Sequence, residues 1–417
     1  MFRQLLAVGF SAAVFVNVQP ARAADSCTSI TRSNLISCVT QASLSRDAGV
    51  AGIQAAEGRV DAEKPWLPSS PVVALTGARR EAPQGTTFDW SASLGIELEI
   101  AGQRGARRKA AVAEVNAERK NLEVIERSVA TAAWQSYFEL LAAEESLKLT
   151  QQLEGASKKV WQATQAAAER GAAPGVEADL AEAAHVRIVQ RRIDAQRDVQ
   201  THRSELATML GLDAASLRVA GALEPLRIEQ KKTVASDRPE AAALEAQGAA
   251  FSARASALRR SRVPNPTVSV FVEKDGFDEK VLGVGLAFPL PLPEPVGRMH
   301  SGEIAENEAL ARRATLLAAE ARRSAKGDLQ RALADYAAAL EATQAYDQSR
   351  LQRSEATLAS LAEQVEAGRL GTRDAVILQE PLFDVLLGAI ESRRRLCVAS
   401  ADVAQAAGLR LTEGGVQ

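Results

Sequence analysis

The strongest constraint on this chain is that its longest pattern is written twice. A long helical pattern stops at Gly171, a short loop follows, and Glu177 and Asp179 stand at the head of a second helical stretch that closes on Leu210-Gly211-Leu212. The same order recurs from Gly368, through Thr372-Arg373-Asp374, to Gly408-Leu409, and both pairs of glycines lie 197 residues apart. A helix that stops at Gly and restarts behind an acidic residue is a helical hairpin tip. Two such tips in one chain predict an internal duplication.

The stretch from Ala106 to Arg170 contains no Pro and a single Gly, Gly155, while Val115, Leu122 and Val129, then Leu140 and Leu147, recur at intervals of seven. That is a coiled-coil seam, and at about 1.5 Å per residue it makes a rod of roughly 97 Å. No compact domain needs such a helix. The returning stretch, 176–210, is too short to match it. A further helix opening at Arg238-Pro239-Glu240 and running to about Arg262 would make up the length. Aromatics are only 4% of the chain, which suits paired helices better than a thick core.

Before the rod lies a period-two pattern. From Thr87 to Ile100, Phe88, Trp90, Ala92, Leu94, Ile96, Leu98 and Ile100 alternate with polar or small residues, among them Asp89, Glu97 and Glu99. This predicts a strand with one apolar and one acidic face. A membrane barrel strand and a soluble sheet with one wet face would look alike locally. The expected strands are about 71–78 and 87–100 in the first copy and about 266–273 and 280–289 in the second, with Asp275-Gly276 in a turn. Gly105 and Gly297 are matched as the strand-to-helix junctions. The first repeat is then 24–237, with a hairpin over 106–210 and an equatorial segment over 211–237. The second is 238–417, with a hairpin over 298–408 and a short C-terminal tail. Pro381 replaces a helix former of the first copy and is expected to kink the returning helix.

The N-terminus has a basic Arg3, an apolar run from Leu5 to Val18 and Ala21-Arg22-Ala23, the three parts of a signal peptide over 1–23. This predicts an exported chain, and no later stretch is long and apolar enough for a transmembrane helix. In an oxidising compartment Cys27 and Cys38 fit a local disulfide. Two free thiols fit nearly as well, and Ala24-Asp25-Ser26 makes a poor lipoprotein signal for Cys27. A net charge of −2 shows no nucleic-acid footprint. There is no nucleophile elbow, P-loop or dinucleotide loop, so an enzyme is not expected, and neither is a cofactor. His185, His202 and His300 lack paired ligand spacing, and no metal site is expected.

Two strands per repeat give four strands, which cannot close a barrel, and open edges cannot face lipid. Sharing between three copies would give twelve. In order and repeats the mature chain resembles the TolC-like outer-membrane efflux factors. The matching residues are Trp66-Leu67-Pro68, Gly102 and Gly105, Gly171 with Val176-Glu177-Ala178-Asp179-Leu180, Leu210-Gly211-Leu212, Arg238-Pro239-Glu240, and Gly368 with Thr372-Arg373-Asp374-Ala375-Val376. The resemblance implies a mainly α chain with membrane β: a homotrimeric twelve-stranded barrel in the outer membrane of a Gram-negative bacterium, continued by a periplasmic helical barrel. It implies docking to a periplasmic adaptor and an inner-membrane RND pump, and a passive duct. The compact chain looks most like the heavy-metal branch exporting cobalt, nickel, zinc or cadmium. Ducts for drug efflux or type I protein secretion, and a periplasmic coiled-coil adaptor or scaffold, are the alternatives.

By that resemblance Glu177, Asp179, Arg369, Arg373 and Asp374 would form a charged gate at the tips, and Asp89, Glu97 and Glu99 would face the barrel lumen. A plainer role for Glu177 and Asp374 is to sit in the first turn of a helix and complement its dipole. Gly171 and Gly368 are expected as C-caps of the tip turns.

Overall fold

The computed structural model describes residues 27–83, 85–228, 238–274, 279–293, 296–297, 299–412 and 415–416. The signal segment 1–23, the Asp275-Gly276 turn and the end of the equatorial segment lie outside these residues.

The rod is a single helix, α3 (Gln103–Glu169), of 67 residues, about 100 Å long at about 1.5 Å per residue. It returns as α4 (Gly175–Leu210) along its tip-side half, and α5 (Pro239–Ser261) covers the other half. Two shorter helices thus balance one long one. Pro239 sits in the first turn of α5, where its missing N–H is harmless.

In the second copy the rod is divided: α6 (Ser301–Ala345) stops and α7 (Gln348–Glu366) restarts. The sequence pattern predicts one long helix from about His300 to Glu366 as the outgoing arm of the second hairpin, and the structure corrects this to two. Asp347 leaves the helical region at φ −63°, ψ 138° and its carboxylate accepts from Ser349 N at 3.4 Å, an N-cap inside the rod. The return is α8 (Thr372–Ala406), which runs through Pro381 as one helix.

The duplication is also conformational. Four helix ends close alike, with a left-handed glycine and a 6→1 backbone bond: Gly171 (φ 69°) with Ala172 N to Ala167 O, Gly211 (φ 63°) with Leu212 N to Ala207 O, Gly368 (φ 65°) with Arg369 N to Gln364 O, and Gly408 (φ 78°) with Leu409 N to Ala404 O. At the sheet end the left-handed residues before the rods are Gly102 (φ 68°) and His300 (φ 52°), 198 residues apart. They, rather than Gly105 and Gly297, mark equivalent points. Gly105 is already inside α3.

At mid-length the rods hold the thickest packing. Trp134, Tyr137 and Phe138 of α3 are fully buried with Leu206, Leu210, Leu217, Leu226 and Cys397. Burial pushes the Cys397 thiol up to about 12. The N-terminal segment completes this collar through β1 (Ser29–Ile30), paired in parallel with β4 (Arg218–Val219), and the short helix α1 (Leu35–Ala42). Cys27 and Cys38 are bridged there, and Arg32 lies over the Trp134 ring at 5.6 Å. Helix α2 (Leu44–Ala62) then climbs beside α3 to the sheet, with Ser43 as its N-cap.

The sheet is four antiparallel strands in the order β2 (Val72–Ala82), β3 (Gly85–Glu97), β5 (Thr267–Lys274) and β6 (Lys280–Ala287). A two-residue pairing of β7 (Leu411–Thr412) with β8 (Gly415–Val416) ends the chain.

Candidate functional site

The register sorts the sheet into two faces, because residues directly opposite each other project to the same side. Leu75 lies opposite Ala92, Leu94 opposite Val270, Val270 opposite Val284, and Ile96 opposite Val268, itself opposite Leu286. One face is therefore apolar across all four strands, and it is uncovered: Leu75 is 78% exposed, Val284 74% and Leu282 75%. Strands β2 and β6 are both edges.

The opposite face carries Thr76, Arg80, Asp89, Ser91, Ser93, Glu97, Ser269 and Glu273. Asp89 does not offer a bare charge, since Arg80 pairs with it at 2.9 Å. Glu97 accepts from Ser69 Oγ at 2.8 Å and Asn265 Nδ2 at 2.8 Å. Glu99 is a correction. Strand β3 ends at Glu97, so Leu98, Glu99 and Ile100 do not continue its alternation, and Leu98 N makes the last rung to Pro266 O. The Glu99 carboxylate instead accepts from Arg104 N at 2.7 Å and pairs with Arg107 at 2.6 Å, closing the first turn of α3. Glu273, exposed and opposite Ser91, is the acidic residue of this face that the sequence reading missed. Its signal was the Thr-Val-Ser-Val-Phe-Val-Glu alternation from Thr267.

At the other end, the two tips present Glu177, Asp179, Arg369, Arg373 and Asp374. Glu177 and Asp374 are the acidic residues of the first turns of α4 and α8, where the helix dipole favours them. Asp179, Arg369, Arg373 and Asp374 are exposed and Glu177 is half-buried. Among the described residues none of the five makes an ion pair within the chain. The structure joins the two returning helices a few turns back from the tip instead: Arg187 pairs with Glu380, and Arg191 with Asp384 at 3.4 Å and Glu380 at 3.9 Å. Two arginines spaced i, i+4 in one copy and two carboxylates spaced i, i+4 in the other, each pair on one helix face, were the available sign.

Among the described residues no three His, Cys, Asp or Glu side chains form a metal-binding group. His185 stacks on Trp161 at 5.4 Å, His202 meets Glu205 at 3.0 Å and His300 meets Glu303. No helix among these residues is long and apolar enough to cross a membrane.

Residues 36–212 match the model of the family described as outer membrane efflux protein. No curated protein matches the chain by sequence. In fold the chain is similar to the outer membrane protein VceC of Vibrio cholerae, with a TM-score of 0.73 and 17% identity over 90% of this chain and 96% of that one. It is similar to a membrane protein from Pseudomonas aeruginosa, at 0.70 and 18% over 92% and 91%. It is also similar to the open state of the MtrE outer membrane channel of Neisseria gonorrhoeae, at 0.68 and 19% over 90% and 88%. The architecture is the one these structures have: a small antiparallel sheet carried on long helical hairpins.

Proposed function

We propose that the chain is one third of an outer-membrane efflux duct, a homotrimer in the outer membrane of a Gram-negative cell with its helices in the periplasm. One observation carries the reading: an uncovered apolar sheet face with two open edges at the head of roughly 100 Å hairpins. Unpaired strand edges in hydrocarbon cost several kcal/mol per group, so the edges must meet other copies. Along the sheet the strands alternate in direction, and β6 of one copy would again run opposite to β2 of the next. Three copies close a twelve-stranded barrel with the polar face inward, and repeats 24–237 and 238–417 become successive, near-equivalent sectors of the wall.

The tips would dock a periplasmic adaptor, and through it an RND pump of the inner membrane. Glu177, Asp179, Arg369, Arg373 and Asp374 are the gate. Lacking partners within one chain, they are placed to pair between copies when the tips converge, which would latch the closed state. The passengers are divalent heavy-metal cations such as cobalt, nickel, zinc or cadmium. This is supported by a lumen face that, among the described strand residues, carries the carboxylates Glu97 and Glu273 beside Asp89, with Arg80 already matched to Asp89. A duct of this kind needs no binding site, because the pump selects.

Outer membranes extracted in mild detergent are expected to yield a trimer by native mass determination, and single channels whose conductance rises in Asp374→Ala. A monomer left in the soluble periplasm would end the duct reading. Deletion should sensitise cells to divalent metals; sensitivity only to organic drugs would replace the passenger and keep the duct.

A further inference from the structure

Both sulfurs of the Cys27–Cys38 bridge lie inside the collar. Cys27 is 5% exposed and Cys38 4%, within the core cluster that also holds Ile30, Leu35, Trp134 and Leu217. The loop between them carries the bonds that tie the N-terminal segment to the rest of the collar. Thr28 O and Ile30 O accept from Arg218 N and Ala220 N, each at 2.9 Å. Arg32 donates to the carbonyls of Glu224 and Pro225 at 3.1 and 3.0 Å while its guanidinium covers Trp134. Within the loop, Asn34 accepts from Thr31 N at 2.7 Å and donates to Ser29 O at 2.9 Å. These elements are too small to order themselves. Strand β1 has two residues and α1 has eight, and isolated helices below about 12–15 residues are marginal in water. A bridge spanning 11 residues removes much of that disorder before the loop docks.

We propose that oxidation of Cys27 and Cys38 by a disulfide-bearing oxidant of the periplasm is an obligatory step that precedes closure of the collar. A cysteine is oxidised by exchange only where another sulfur can reach it. Once Ile30 and Leu35 are seated, both fully buried, neither sulfur can be reached from outside. The reaction therefore belongs to the open segment. One cysteine thiolate attacks the oxidant's disulfide and forms a mixed disulfide. The other thiolate then attacks that bond and closes Cys27–Cys38. The oxidant leaves as a dithiol, carrying the two electrons and two protons that the cysteines give up. Cys397 stays out of the exchange: it is fully buried in the same cluster, and burial keeps it a protonated, inert thiol. The oxidising compartment follows from the outer-membrane placement, whereas the order of events follows from burial.

The test follows the full chain in pulse-labelled cells. Free thiols are counted by alkylation in denaturant, and closure is read as resistance of the Arg32–Ser33 bond to trypsin in native extracts, with fragments separated after reduction. Every resistant chain is expected to be bridged, with one of its three cysteines free. Dithiothreitol added with the pulse should hold the chain reduced and trypsin-sensitive, and oxidised glutathione in the chase should restore bridge and resistance together. Resistant chains with three free thiols, or resistance gained under dithiothreitol, would overturn the order. Cys27→Ala/Cys38→Ala is expected to be cut at Arg32 about tenfold faster or more, because the undocked segment is open, and Cys397→Ala to behave as wild type. Equal cutting of the double variant and wild type would make the bridge incidental to the collar. Should the double variant fail to accumulate, purified wild-type protein decides: dithiothreitol is expected to open the bridge in denaturant and spare it in the native protein. Equal opening in both would mean that the sulfurs stay reachable after closure, and the proposal would fall. A chain absent from outer membranes would instead strike the duct reading, while bridging and trypsin resistance would still report the order in single chains.

Discussion

Gly221 shows how tightly single positions are set in the collar. It holds φ at 150°, just after Ala220, whose carbonyl accepts the Tyr137 hydroxyl at 3.0 Å. A Cβ at 221 would run into that hydroxyl, and Tyr137 is 1% exposed, with nowhere to retreat. Backbone of this kind costs a side chain about 1–3 kcal/mol before any clash. Gly221→Ala is therefore expected to destabilise the chain by about 2–4 kcal/mol, read as a lower midpoint in chemical unfolding. An unchanged midpoint would mean that the collar yields more easily than its packing implies. Nothing in the sequence marks Gly221 apart from the other glycines of the segment. Its role exists only once Tyr137, 84 residues earlier, is brought beneath it. The glycines at the tips and helix ends were legible because their cause is local: a helix that stops needs a residue at positive φ, and the same requirement recurs 197 residues on.

Among the elements, legibility followed the same division. The rods, the returning helices and the strands could be read from periodicity, since a seven-residue or two-residue repeat is carried by neighbours in sequence. The break at Asp347 could not. Asp-Gln-Ser is a weak N-cap signal inside a strong helical pattern, and the chain uses it where the Tyr346 ring meets Gly388 of α8. The end of β3 was overrun for the opposite reason. Leu98 and Ile100 continue the alternation, but the ladder stops where Glu99 is drawn to α3. Long-range charge is a further layer hidden from sequence. Glu114 on α3 receives Arg59 of α2 at 2.7 Å and Arg254 of α5, joining three elements through one carboxylate. Burial by itself would lift its pKa, but the two guanidinium groups outweigh it and hold the carboxyl below the usual range. A depressed folded pKa means stability that is present above the unfolded pKa and lost as pH falls through the folded one. Glu114→Gln should thus cost about 1–3 kcal/mol near neutral pH and almost nothing once the wild-type carboxyl is protonated. Melting temperatures of both proteins across pH 2–8 check this; parallel curves would rule out the ionic bridge as the cause.

For the whole molecule, one chain is an incomplete object. Among the described residues its sheet has two open edges, its apolar face has no cover, and the five tip charges make no ion pair in the same chain. Each deficiency is of a kind that other copies would remove. This is also why the candidate gate was only partly legible. Sequence placed its residues at the tips, but in the proposed duct their pairing would depend on helices of a neighbouring copy, whereas the Arg187–Glu380 and Arg191–Asp384 links are made within one chain. The decisive question is then whether β6 of one copy meets β2 of the next. Both edges carry outward-facing apolar residues, Leu75 on β2 and Leu282, Val284 and Leu286 on β6, spaced two apart. Cysteines introduced at Leu75 and, in turn, at Leu282, Val284 or Leu286 sample successive registers of an antiparallel pair, with Cβ atoms about 4.5–5.5 Å apart at the correct one. Mild oxidation in intact outer membranes should convert at least one double variant into covalent dimers and trimers on denaturing gels, with neither single cysteine doing so. Monomers from all three would mean that these edges do not meet, and that the chain completes its sheet in another way.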